Sequence, residues 1–266
     1  MNNSIILALT ATLGTWALTA LGAAVVIFFK KPKQSILNLM LGFSAGVMIA
    51  ASFWSLLQPA IERADVSLKM PSYIVVTAGF IFGAVFIWFS DKAVSCAILK
   101  SNLDEHSANK RLNRVIMLIL SITLHNIPEG LAVGVAFGLL KQDYSINALM
   151  GAVSVAIGIG LQNFPEGAAV SLPLRREGYS RRKSFFYGQL SAIVEPIAGV
   201  IGAILVSTVE TILPFALSFA AGAMIIVAVH ELIPECQQNQ AKQPYTATMG
   251  IISGFAVMML LDVMLG

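Results

Sequence analysis

Apolar residues run along this chain in long unbroken stretches separated by short polar breaks. A membrane-spanning helix needs about 20 predominantly apolar residues. Eight stretches meet that requirement, at 4–29, 37–58, 72–90, 115–140, 146–172, 185–208, 213–235 and 246–265. They predict an all-α protein of eight transmembrane helices. The strands of a membrane barrel would need alternating apolar and polar positions instead. The segments use most of the 266 residues. The whole chain, 1–266, is therefore read as a single integral membrane domain with short loops.

Composition agrees. Hydrophobic residues make up 57% and charged residues 12%, with a mean hydropathy of +0.80. A soluble surface needs roughly a quarter to a third of its residues charged. An ordinary soluble enzyme and a disordered chain are both excluded.

The basic residues orient the segments. Lys30, Lys31 and Lys33 follow segment 1; Lys92, Lys100, Lys110, Arg111 and Arg114 lie between segments 3 and 4; Arg175, Arg176, Arg181, Arg182 and Lys183 between 5 and 6; Lys242 between 7 and 8. Only Arg63, Lys69 and Lys141, of 17 Lys and Arg, fall in the other set of loops. Basic loops stay cytoplasmic, so both termini are expected outside. The net charge of +3 then orients helices and gives no reason to expect a nucleic-acid partner. The first apolar run has no basic residue before it and is too long for a signal-peptide core. Cys96 and Cys236 fall on cytoplasmic segments, where thiols stay reduced, and no CxxC spacing suggests zinc binding.

Two internal repeats stand out. Leu124-His125-Asn126-Ile127-Pro128-Glu129-Gly130 in segment 4 matches Leu161-Gln162-Asn163-Phe164-Pro165-Glu166-Gly167 in segment 5. Phe43-Ser44-Ala45-Gly46-Val47-Met48-Ile49 in segment 2 matches Phe219-Ala220-Ala221-Gly222-Ala223-Met224-Ile225 in segment 7. Adjacent spans cross in opposite directions, so the first motif is offered once from each side. The second pairing fits segments 1–3 and 6–8 as inverted repeats around segments 4 and 5, a frequent transporter plan.

The candidate chemistry lies in mid-segment. His125, Asn126 and Glu129 share segment 4; Gln162, Asn163 and Glu166 share segment 5; Glu195 lies in segment 6. Each charge costs about 2.5–3.5 kcal/mol at the centre of a spanning helix, and no Lys or Arg lies mid-segment to offset it. Either the carboxylates are protonated or a cation compensates them. At about 100° per residue, Glu129 falls within about 60° of both His125 and Asn126, so the three form one fan, repeated in segment 5. Imidazole with carboxylates suits first-row divalent metals such as Zn²⁺, and two or three carboxylates could bridge two of them. Pro128 and Pro165 each remove a donor to the carbonyl four residues back, which frees oxygens beside the fans. Pro196 and Pro234 repeat the device. Gly130, Gly134 and Gly138 form a packing face. His230-Glu231 reads as either an exit site or a solvated helix end. The sequence HELIP is not HExxH, so a zincin-type protease is not supported.

HNIPEG followed by QNFPEG in consecutive spans closely resembles the ZIP family of divalent-metal transporters, with Gln162 similar to its GufA-type branch. Ser44–Glu62, Gly188–Gly199 and His230–Glu235 add to the likeness, which covers essentially the whole chain. The resemblance implies a 3+2+3 arrangement, with helices 1–3 and 6–8 around helices 4 and 5. It also implies a binuclear mid-membrane metal centre at His125, Asn126, Glu129, Gln162, Asn163, Glu166 and Glu195. It puts Met48 near the first metal and His230 and Glu231 near a cytoplasmic exit, with an elevator-like movement. Asn163 stands where some relatives carry Asp, which removes one negative charge. The 91–114 loop has only His106, where many relatives are histidine-rich.

The expected function is transport of divalent metal into the cytoplasm: zinc first, with iron, manganese and cadmium as further cargoes. Glu62 or Asp65 would stand at the entrance. No resident cofactor is expected, since the metal is cargo. The bilayer, the ions and a homodimer partner are the expected associations, and short loops suit a bacterial inner membrane. The alternatives are a proton-coupled carrier or channel that uses the carboxylates as a relay, and a membrane enzyme. No nucleophile–base pair or phosphate loop supports the enzyme.

Overall fold

A computed structural model describes residues 2–28, 33–67, 70–101, 107–141, 144–208, 210–237 and 245–265, and every regular element among them is helical. In chain order these are α1 (Asn2–Phe28), α2 (Gln34–Ala51), α3 (Gln58–Ser67), α4 (Ser72–Ser101), α5 (Ser107–Gly138), α6 (Ile146–Arg176), α7 (Arg181–Leu190), α8 (Val194–Thr208), α9 (Leu213–Val227), α10 (Ile233–Cys236) and α11 (Thr246–Leu265). One π-helical turn, Ser52–Leu57, joins α2 to α3, and another, Ala228–Leu232, joins α9 to α10.

By length and composition, seven helical stretches among the described residues can cross a membrane: Asn3–Phe28, Gln34–Asp65, Ser72–Val94, Ile146–Arg175, Arg181–Thr208, Leu213–Cys236 and Thr246–Leu265. The remaining expected segment, 115–140, falls in α5, which stays helical through Pro128. The 91–114 stretch, read from the sequence as a loop, is largely helical, because α4 continues to Ser101 and α5 begins at Ser107. His106, Lys30, Lys31, Lys69 and Lys242 lie outside the described residues. Cys96 and Cys236 are both free.

Local chemistry sets the helix ends. The Ser145 hydroxyl caps α6 by accepting from the Ala148 amide at 3.2 Å, and Ser180 caps α7 through the Lys183 amide at 3.3 Å. Gly178, at φ 88°, closes the C-terminus of α6; its amide donates to the Arg175 carbonyl at 3.0 Å. Only glycine adopts that conformation at no steric cost.

Polarity is distributed inside-out. Phe82, Phe86, Trp88 and Phe89 of α4 and Leu260, Val263 and Met264 of α11 are exposed, while Glu129, Gln162, Asn163 and Glu195 are fully buried. With hydrocarbon outside, exposed apolar side chains carry no penalty, and close packing of small residues drives association instead. Four helix pairs pack most extensively: α1 with α6, α2 with α11, α4 with α9, and α5 with α8. Glycines bring the backbones into contact in every pair. A Cβ on Gly130, Gly134 or Gly138 would meet the backbone of Glu195, Gly199 or Ala203 in turn; Gly42 and Gly46 face Ala247 and Ile251; Gly79 and Gly83 face Phe215 and Phe219; Gly167 faces the Thr19 backbone, four residues on from the Thr15 carbonyl that Asn163 reaches at 3.2 Å. Numbers climb together on both sides, so each pair runs parallel.

The Phe43 and Phe219 repeats have matching neighbours. A Cβ on Gly46 would strike the Ile251 carbonyl, and one on Gly222 the Phe80 carbonyl. Conversely, the Phe43 carbonyl abuts Gly254 and the Phe219 carbonyl abuts Gly83. Gly134→Ala is expected to destabilise the protein by about 1–3 kcal/mol, because the added methyl meets backbone that cannot yield. Gly14→Ala, with nothing within 4 Å of its Cβ, should be neutral or slightly stabilising. Thermal melts of the two variants in detergent check the contrast.

Candidate metal centre

The centre is built where α5, α6 and α8 meet, with α1 and α2 behind. A helix break shapes it. Pro196 has no amide hydrogen, and the Glu195 amide turns to the Ala192 carbonyl at 3.0 Å. In a continuous helix that amide would reach Ser191. The released Ser191 carbonyl accepts instead from Asn126 Nδ2 at 2.9 Å. The break between α7 and α8 therefore orients a side chain on α5.

The other two amides are oriented in the same sense. Gln162 Nε2 donates to Glu129 Oε1 at 2.6 Å. Asn163 Nδ2 donates to Glu195 Oε1 and Oε2 at 2.9 and 2.8 Å. Thr15 Oγ1 donates to Glu195 Oε2 at 2.5 Å, and Thr19 Oγ1 to Oε1 at 3.4 Å. Ser44 Oγ donates to Glu166 Oε1 at 2.6 Å. His125 Nε2 stands 2.6 Å from Glu231 Oε1, which ties α5 to the π turn after α9.

Four buried oxygens in this cluster then lack a donor: Asn126 Oδ1, Glu129 Oε2, Gln162 Oε1 and Asn163 Oδ1. All four are acceptors. Each amide has its NH₂ engaged and its carbonyl left over. Buried polar atoms nearly always find partners, and an unpartnered lone pair away from water is costly. No Lys or Arg among the described residues is buried beside them. What the four oxygens lack is a donor or a cation. An oxygen-rich set with one imidazole fits a divalent cation such as Zn²⁺. Among the described residues, no three His, Cys, Asp or Glu side chains form a ready-made ligand set, and the buried amide oxygens lie among the available donors.

The flanking expectations divide. Glu231 joins the cluster through His125, whereas His230 is exposed on the same π turn. Met48 is fully buried in the apolar core with Val47, Val133 and Met224. Glu62 lines a cavity of about 650 Å³ with Ser55, Asn147 and Asp262. Asp65, on α3, is exposed and is not among the residues lining that cavity.

Sequence reasoning passed over Asp262, Ser44, Thr15 and Thr19. Asp262 accepts from Ser55 Oγ at 2.9 Å and from Ser154 Oγ at 2.9 Å, linking α11, the first π turn and α6. As the single acid within segment 8 it was legible by its insertion cost. The hydroxyls gave no such signal, since a helical Ser or Thr can satisfy itself on a nearby carbonyl.

Fold and site together define a polytopic helical membrane protein with an acceptor-rich buried centre. The ZIP Zinc transporter family model matches residues 99–262. Zinc transporter ZIP11 of Xenopus tropicalis is 40% identical, with 97% of each chain aligned. Zinc transporter GufA of Myxococcus xanthus is 34% identical over 97% of this chain and 98% of that one. Zinc transporter ZIPB of Bordetella bronchiseptica is 34% identical over 94% and 79%. The chain belongs to the ZIP zinc transporter family, and its likeness to GufA agrees with the branch suggested by Gln162.

Gln162→Glu would replace the donor facing Glu129 with a second acid. In metal-free protein this should cost about 1–3 kcal/mol, the scale for an unsatisfied buried group. Added Zn²⁺ should recover the loss. Thermal melts with chelator and with excess zinc measure both effects.

Proposed function

We propose that the protein carries divalent transition-metal ions, zinc foremost, across the membrane and into the cytoplasm. The observation that carries this reading is the set of four buried oxygens without donors on α5 and α6. Zinc comes from the names of the relatives, and the ligand chemistry agrees with it. Iron, manganese and cadmium have similar charge and use the same donor types.

The proposed topology has eight crossings in a 3+2+3 plan, with α5 as the fourth. Parallel packing of α1 with α6, α2 with α11, α4 with α9 and α5 with α8 supports it. Under alternating crossings these are spans 1 and 5, 2 and 8, 3 and 7, and 4 and 6, each pair sharing one direction. Exchanging spans 1–3 with 6–8, and 4 with 5, leaves this set of pairs unchanged, as an inverted repeat requires. The basic-loop asymmetry places both termini outside, and a bacterial inner membrane is the proposed location.

In this scheme a hydrated ion enters through the cavity lined by Glu62 and Asp262. It loses water to Glu129, Glu166 and the amide oxygens of Asn126 and Gln162. Taking His125 Nε2 requires displacing Glu231, which stands 2.6 Å away. Loading therefore breaks the tie between α5 and the second π turn and releases Glu231 to meet the ion on the cytoplasmic side, where His230 is exposed. A relative shift of helices, in the elevator manner, completes the crossing along faces where glycine keeps side chains out of the way.

Glu129→Ala and Glu166→Ala should each reduce zinc uptake into proteoliposomes by about 100-fold or more, the upper end of what lost metal support costs. Both should remain monodisperse. Unimpaired uptake by both would reject the site. Uptake of protons alone, indifferent to zinc, would favour the proton-coupled alternative.

A further inference from the structure

We infer that Glu195 is a positioning residue and not an ion ligand, and that the centre holds one divalent ion per chain. This rests on the metal-transport reading above and sharpens it. An ionised carboxylate offers about four lone-pair sites. On Glu195 both oxygens are engaged: Asn163 Nδ2 lies 2.9 Å from Oε1 and 2.8 Å from Oε2, Thr15 Oγ1 lies 2.5 Å from Oε2, and Thr19 Oγ1 lies 3.4 Å from Oε1. The side chain is fully buried. Glu129 differs: Oε1 accepts one bond and Oε2 none.

An ion approaching Glu195 would have to displace donors from three residues on two helices. Charge points the same way. Glu129 and Glu166 together balance one dication. A second would bring two more positive charges to a place where the further carboxylates among the described residues are Glu195, enclosed by neutral donors, and Glu231, held against His125.

The enclosed carboxylate has a different task. It fixes the NH₂ end of Asn163, and so decides that Oδ1 is the end left over, buried and without a donor. Asn163 Nδ2 also reaches the Thr15 carbonyl at 3.2 Å, which locks the amide to α1. Thr15, Thr19 and Glu195 thus orient an oxygen toward the ion from behind. Asn at 163 is what makes the lock work, since an aspartate there has no hydrogen to donate.

The test uses the full-length chain in detergent, saturated with Zn²⁺, desalted and assayed for metal per chain by mass spectrometry. One equivalent is expected in wild type and in Glu195→Gln, whose Oε1 still accepts from Asn163. Two equivalents in wild type would overturn the inference, as would loss of all metal from a folded Glu195→Gln. None in wild type would instead reject the transport reading itself. Thr15→Val supplies an independent sign. It removes one donor from Glu195 and leaves the acid in place. A positioning role predicts zinc affinity weakened by about tenfold, with Thr15→Ser retaining wild-type affinity. A ligand role predicts tighter binding once the oxygen is freed, so unchanged or tighter binding in Thr15→Val would overturn the assignment.

Discussion

Hydrocarbon offers no hydrogen bonds, so every polar atom placed within the bundle must find its partner in the protein or in what the protein binds. That constraint governs the centre of this molecule. Three amides and three carboxylates lie buried together. The donors are all engaged: Asn126 on the Ser191 carbonyl, Gln162 on Glu129, Asn163 on Glu195, and hydroxyls from α1 and α2 on the remaining acids. What is left over is lone pairs. The apolar helices, glycine contacts and the break between α7 and α8 can be understood as the means of holding that surplus in place.

Much of this was legible in the sequence, because hydropathy acts over whole segments. The run at 246–265 is α11, Thr246–Leu265, residue for residue, and the runs starting at 72, 146 and 213 begin where α4, α6 and α9 begin. The mid-segment acids and amides were legible for a related reason: in a chain with 12% charged residues, a glutamate inside an apolar run has no cheap explanation. What escaped was geometry that leaves hydropathy unchanged. Neither π turn alters the apolar pattern. The break at Ser191–Ile193 was half visible in Pro196, but its consequence, a carbonyl delivered to Asn126, depends on which helix packs opposite.

Residues that act by support were hidden for a third reason. Thr15, Thr19 and Ser44 look like ordinary spanning-helix residues, because a hydroxyl costs little in a helix that lets it bond backward. Thr15 has that option, with the Thr12 carbonyl 3.0 Å away, but its oxygen lies closer to Glu195, at 2.5 Å. Their role exists only in relation to acids far along the chain. His230 and Glu231 show the converse. Adjacent in sequence and alike in candidate chemistry, they are separated because one residue's step around a π turn leaves His230 exposed and brings Glu231 against His125.

The two π turns join these strands of argument. Ser52–Leu57 and Ala228–Leu232 begin nine residues after Phe43 and Phe219, the first residues of the matched repeats. In both, the fourth residue makes the bond to another helix: Ser55 to Asp262 on α11, and Glu231 to His125 on α5. A π turn inserts one residue into the helical ladder and re-aims the side chains around it, and such turns occur frequently at functional sites. The repeat has kept the backbone device on both sides while the chemistry has diverged. One side ties with a neutral hydroxyl on a carboxylate, the other with an imidazole on a carboxylate. A cation that competes for the imidazole can break only the second. The two turns are thus held by chemically different ties, and only one of them offers an ion a nitrogen ligand.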